Sequence, residues 1–138
     1  MHILFVTGEY PPQMGGVGAY TAELARALCE AGSACTVITG RGGQAQSAAG
    51  SDAVRVLPLV DRWTPGAMRT IAQQARMLAV DWVHVQYQTA AFGMNPSINF
   101  APRWWRSDLS VAWTYHDLLP PYLFPKAGAA LRRWVTED

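Results

Sequence analysis

Charge is scarce in this chain. Only 15% of its 138 residues are Asp, Glu, Lys or Arg, and 11 basic against 10 acidic side chains leave a formal charge of +1. So close a balance creates no long-range field toward nucleic acid, which is excluded as a partner, and any basic patch must be local. Cysteine is almost missing, with Cys29 and Cys35 the two in the chain. A disulfide or a metal pair stands open for them beside the plainer reading of two reduced, buried thiols in a cytosolic domain. His2, His84 and His116 lie too far apart for ligand spacing, which speaks against a structural metal. No apolar run approaches the roughly 20 residues that cross a bilayer, and the apolar start Ile3-Leu4-Phe5-Val6 is too short for a leader and has no basic segment before it. Gly-Lys-Ser and Gly-Lys-Thr are absent, so there is no P-loop. The expectation is a soluble cytoplasmic protein.

Half of the residues are hydrophobic, well above the range of disordered chains, and the length suits one core. His2 to Thr7 is short and almost wholly apolar, as a strand buried on both faces should be. The stretch from Gly8 to Gly18, GEYPPQMGGVG, carries four glycines and two prolines and predicts a shaped loop. Ala19 to Ala31 then predicts a helix with Leu24, Ala27 and Leu28 on one face and Gly32 as its C-terminal glycine. Cys35 to Thr39 and Val54 to Pro58 read as further strands, and the Gly, Ser, Gln and Ala of residues 40–52 read as an exposed loop. A second long helix is predicted over Pro65 to Val80, a strand over Trp82 to Gln86, a helix over Asn95 to Arg106 and a fifth strand over Ser110 to Tyr115. The chain closes on a loop with Pro120, Pro121 and Pro125 and a helix over Ala127 to Val135. Strands alternating with crossover helices imply an α/β fold, a parallel sheet with helices on both faces.

Ligands of such sheets bind beyond the carboxyl ends of the strands. Three segments converge there. Gly15, Gly16, Val17 and Gly18 lead into the first helix, where bare amides and the positive helix end suit a phosphate, although glycines that merely turn the chain would look the same. His116 and Asp117 follow the fifth strand, and an imidazole at that rim suits a sugar or phosphate site as well as it suits a loop tether. Gln86, Tyr87 and Gln88 follow the fourth strand and offer uncharged donors and acceptors that match hydroxyl-rich ligands better than metal ions. Glu9 is the glycine loop's lone carboxylate; it would accept from a sugar hydroxyl or cap a helix. His84, inside a strand, reads as structural. Arg103-Trp104-Trp105-Arg106 mixes bases and indoles as a peripheral membrane contact does, but such tryptophans more often pack in a core. The glycines do not form a dinucleotide fingerprint, because a third glycine is missing after Gly16-Val17-Gly18 and Thr39-Gly40-Arg41 has no acid to close the second strand.

The opening MHILFVTGEYPPQMGGVGAYTAELARALCEAGSACTVIT resembles the N-terminal domain of GT-B glycosyltransferases of family 4, also called glycosyltransferase group 1. The likeness extends over Tyr10-Pro11-Pro12, Gly15-Gly16-Val17-Gly18, Asp81-Trp82-Val83-His84-Val85-Gln86 and Thr114-Tyr115-His116-Asp117. It implies a Rossmann-like, acceptor-side domain over residues 1–138 that faces a separate C-terminal, donor-binding domain across a cleft. That second domain has no counterpart in these residues, and the first lacks its last strands. The resemblance further implies transfer of a sugar from a nucleotide-sugar donor to an acceptor with retention of configuration, no metal and no cofactor. Gly15 and Gly16, with Val17 and Gly18, would lie on the donor phosphates, and His116 would be the catalytic contact to the transferred sugar. Glu9, Tyr10, Gln86, Tyr87, Gln88 and Asp117 would line the acceptor or sugar side. Without its second domain the chain is expected to bind donor weakly and to be inactive. The rival expectation is a non-catalytic partner subunit with a degenerate transferase fold, dimerising through an exposed sheet edge.

Overall fold

The computed structural model describes residues 1–42, 54–105 and 108–117. The predicted loop over 40–52 therefore lies mostly outside the described residues, as do Arg106, the three late prolines and the helix over 127–135.

Five strands form one parallel sheet: β1 (His2–Thr7), β2 (Ala34–Gly40), β3 (Val54–Val60), β4 (Trp82–Tyr87) and β5 (Ser110–Tyr115). Their spatial order is β3-β2-β1-β4-β5, with β1 at the centre. Ile3 stands beside Cys35 of β2 on one side and Trp82 of β4 on the other. The chain adds strands outward from β1 in one direction, then returns to add β4 and β5 in the other. Right-handed crossovers made in opposite directions deposit their helices on opposite faces. Accordingly α1 (Gly16–Glu30) covers one face, and α2 (Pro65–Met77) covers the other together with a 3-10 turn (Pro96–Phe100) and the single turn α3 (Ala101–Trp104).

Alternation along the strands divides the core accordingly. Leu4, Val6, Val83 and Val85 pack under α2 with Met68 and Ile71. Ile3, Phe5, Cys35 and Val37 pack under α1 with Ala25. Trp105 anchors the α2 side: it is buried, and its indole N–H donates to the Met68 carbonyl at 2.8 Å. Trp104 packs half-buried against the same cluster, so these indoles serve the core. Burial of a large apolar side chain is worth roughly 1.5–3 kcal/mol, which explains why the bases at 103 and 106 do not decide the fate of the tryptophans.

Several boundaries differ from the sequence expectation. Helix α1 begins at Gly16, three residues before the expected Ala19, because Gly16, Val17 and Gly18 form its first turn rather than the end of a loop. The helix expected over Asn95 to Arg106 is instead the 3-10 turn followed by α3. Pro96 and Pro102 each occupy first-turn positions, where a missing N–H costs nothing, and Pro102 cannot continue the hydrogen bonding of the turn before it. β3 runs past Pro58 to Val60; Pro58 is tolerated because β3 is the outermost strand on its side. Cys29 and Cys35 are both free, and burial, reinforced by the neighbouring Cys29, pushes the Cys35 thiol up to about 12.

Candidate functional site

Between β1 and β4 the crossovers diverge to opposite faces, the switch point at which parallel sheets of this kind place their ligand crevice beyond the strand ends. The segment leaving β1 is held tightly there. The Thr7 hydroxyl donates to the Glu9 carbonyl at 2.9 Å, and a side chain at Gly8 would collide with the backbone carbonyl of Ala91 in the turn after β4. Tyr10 turns inward and packs under α1 with 5% of its surface exposed. The peptide between Pro11 and Pro12 is cis. The chain then reaches Gly15, an extended residue at the N-cap of α1.

The first amides of a helix have no intrahelical acceptor, and they carry about half a positive charge between them. Gly15 offers no side chain to satisfy them, and the first turn of α1 holds no acid. Glu9 fills that role from outside the helix: its carboxylate lies against Gly15 and accepts from the Gly18 N–H at 3.4 Å. Val17 is buried and anchors the turn. Gly18 lets the turn approach the backbone of Glu9 and Tyr10, since a Cβ there would stand 3.1 Å from both. Gly16 faces open space. Of the two readings of Glu9, the cap is the contact that the structure shows.

On the far side of the crevice, Gln86 and Tyr87 point to opposite faces of β4. Tyr87 joins the α2 side, packed among Phe92, Trp113 and Tyr115, and its hydroxyl accepts from Thr89 at 3.3 Å. Gln86 points to the α1 side and is fully buried. Gln88 is half-buried and its carbonyl takes the Phe92 N–H. The chain leaving β5 is fastened by the His116 N–H, which donates to the Tyr87 carbonyl at 2.9 Å. The His116 ring lies 2.8 Å through Nε2 from the Gln86 Oε1. Tyr20, from the second turn of α1, packs on the same ring in a T-shaped contact with centroids 5.0 Å apart and planes at 72°. Asp117 follows, half-buried.

Below this layer His84 bonds Thr114 at 2.8 Å through its Nε2 and packs on Phe5, as a structural histidine does. Burial holds its imidazole below the ordinary value, and the nearby His116 pushes the same way. This pole of the sheet therefore carries a helix N-terminus, one imidazole, one aromatic ring and the Glu9 carboxylate. Two of its neighbours are buried polar atoms without a partner among the described residues, Gln86 Nε2 and Thr39 Oγ1. Among the described residues no group of three or more His, Cys, Asp or Glu side chains is placed to hold a metal ion, and no helix is long and apolar enough to cross a membrane.

The structure thus gathers Glu9, the Gly15 to Gly18 turn and His116 at one pole, buries Gln86 behind His116 rather than on the sugar side as expected, sends Tyr87 to the opposite face and buries Tyr10 in the core. Tyr20 is the site residue that sequence reasoning missed. Its signal was an aromatic one turn into the helix after the glycines, indistinguishable there from a surface residue. Comparison with known families finds a match to the model of Glycosyltransferase Family 4 over residues 14–137. No curated protein matches the chain.

Proposed function

The chain belongs to glycosyltransferase family 4, and from that premise we propose that its crevice takes the diphosphate and sugar of a nucleotide-sugar donor, for transfer to an acceptor without a catalytic metal and with retention of configuration. The observation that carries this reading is the contact of Tyr20 with His116, which sets the imidazole against the second turn of the helix that the glycines open. The N-terminal amides suit a diphosphate, and their fixed dipoles would stabilise the charge left on the departing phosphate without reorganising. His116, packed on Tyr20 in the next turn of α1, suits the sugar that the phosphate carries. Glu9 would give up its contact with Gly18 to an incoming phosphate, because two anions cannot share one helix end. In this reading a second domain supplies the remaining nucleotide contacts, and this domain on its own binds donor with a Kd of about 1 mM, some 4 kcal/mol.

The test is a backbone amide titration followed by NMR, with UDP-glucose, GDP-mannose and the corresponding free nucleotides added to millimolar concentration. Shifts concentrated at Gly15 to Gly18, Tyr20 and His116 are expected. A folded protein whose amides stay unmoved by every compound, also when joined to a donor-binding domain, would reject the donor-site reading in favour of a non-catalytic partner subunit.

A further inference from the structure

The buried amide of Gln86 has no direct route to a ligand. It is fully covered, and its one hydrogen bond among the described residues runs from Oε1 to the His116 ring. An amide oxygen only accepts, so the bond requires the proton on Nε2. A neutral imidazole carries a single N–H, and here that N–H is spent inward on Gln86. The other ring nitrogen, Nδ1, is then left with a lone pair. Exchange of the two roles by rotation of the ring is opposed by the His116 backbone bond to Tyr87 and by the T-shaped contact with Tyr20. Position 86 is also held firmly: β4 pairs on both sides, with Thr7 of β1 and Thr114 of β5 as its register partners.

We propose that Gln86 is a positioning residue that fixes His116 as the Nε2–H tautomer, so that the neutral ring meets its ligand through Nδ1 as a hydrogen-bond acceptor for a hydroxyl. The sense is opposite to that of a histidine donating to a phosphate or carbonyl oxygen. The ligand group it selects is a donor, such as a sugar hydroxyl. The identity of the ligand as a nucleotide-sugar rests on the function proposed above; the tautomer does not, and it is read on the protein alone.

The experiment is long-range 1H–15N correlation of the histidine rings in the uniformly labelled 138-residue chain, at a pH about two units above the ordinary imidazole value of ~6.5. His116→Asn identifies the signals. The wild type is expected to show His116 Nε2 as the protonated, pyrrole-type nitrogen and Nδ1 as the unprotonated one. Gln86→Glu retains an oxygen acceptor and should keep that pattern, whereas Gln86→Met, similar in volume but unable to accept, should shift His116 toward a mixture with the Nδ1–H form. In the UDP-glucose titration, Gln86→Met should bind about tenfold more weakly, the size of one lost hydrogen bond, and Gln86→Glu should bind closer to the wild type. A wild-type ring protonated on Nδ1 overturns the proposal, even if Gln86→Met fails to fold. So does a tautomer that is the same in wild type and a folded Gln86→Met. An Nε2–H tautomer that depends on Gln86, in a protein that binds no nucleotide-sugar, would leave this inference standing and remove the proposed function instead.

Discussion

Two helices of this domain end alike with different residues. α1 closes with Gly32 at φ +88°, its N–H on the Cys29 carbonyl and the Ser33 N–H on Leu28. α2 closes with Ala79 at φ +48°, its N–H on Arg76 and the Val80 N–H on Ala75. Both are the same left-handed C-terminal motif, and an L residue with a Cβ pays about 1–2 kcal/mol to adopt it. Ala79 is exposed, so nothing is lost from the core by shortening it. Ala79→Gly should therefore stabilise the fold by about 0.5–1 kcal/mol in urea denaturation, after the extra freedom of glycine in the unfolded chain is subtracted. His84 supports a second prediction at this scale. Its folded-state value is depressed, so the unfolded chain takes up a proton first as the pH falls, and the stability tied to neutral His84 is present above the ordinary value near 6.5 and is lost as the pH drops toward the lower folded value. Urea midpoints between pH 7.5 and 5 should decline, and His84→Gln should flatten part of that decline.

At the scale of elements, the loop joining β1 to α1 holds glycines with unlike duties. A side chain at Gly8 meets the main chain of Ala91, which belongs to the turn after β4 and cannot move without dragging Phe92 from the core. A side chain at Gly15 first meets the far end of Glu9. Gly8→Ala should thus destabilise by about 1–3 kcal/mol, as forced backbone shifts do. Gly15→Ala should cost less and displace the Glu9 carboxylate from the helix end, visible as a shift of the Gly18 amide. Equal losses of stability in the two variants would contradict this assignment of roles. The same contrast shows what was legible from sequence. β1 and β5 have the expected bounds because apolar runs flanked by turn residues leave little choice. The glycine-rich stretch read as loop up to Gly18 because glycine is a poor helix former, yet the turn from Gly16 is helical because Val17 is buried and the Glu9 carboxylate completes it from outside. The pairing of Gln86 with His116 and the contact of Tyr20 with the same ring depend on strand order and helix placement, which no local pattern encodes.

For the molecule as a whole, the parallel sheet separates two poles. At the amino ends of the strands, His2 bonds Thr36 at 3.0 Å and its backbone N–H donates to Asp81 at 2.6 Å, a closed set of contacts. At the carboxyl ends, buried polar atoms of Gln86 and Thr39 lack partners among the described residues and the helix end faces a crevice. Parallel strands enforce this asymmetry, because all of their outgoing loops gather at one end. A ligand of the crevice must then stabilise the whole fold while sensing substitutions at one pole only. With donor at ten times its Kd, mass action adds about 1.4 kcal/mol, which for a domain of this size raises Tm by about 4–5 °C. His116→Ala lowers the starting Tm because Gln86 loses its partner, so each protein is compared with its own ligand-free melt. Thermal melts with UDP-glucose should then show the rise in wild type and in His2→Gln, and its loss in His116→Ala. A rise that survives in His116→Ala but disappears in His2→Gln would place the ligand at the amino pole, against the logic of the fold.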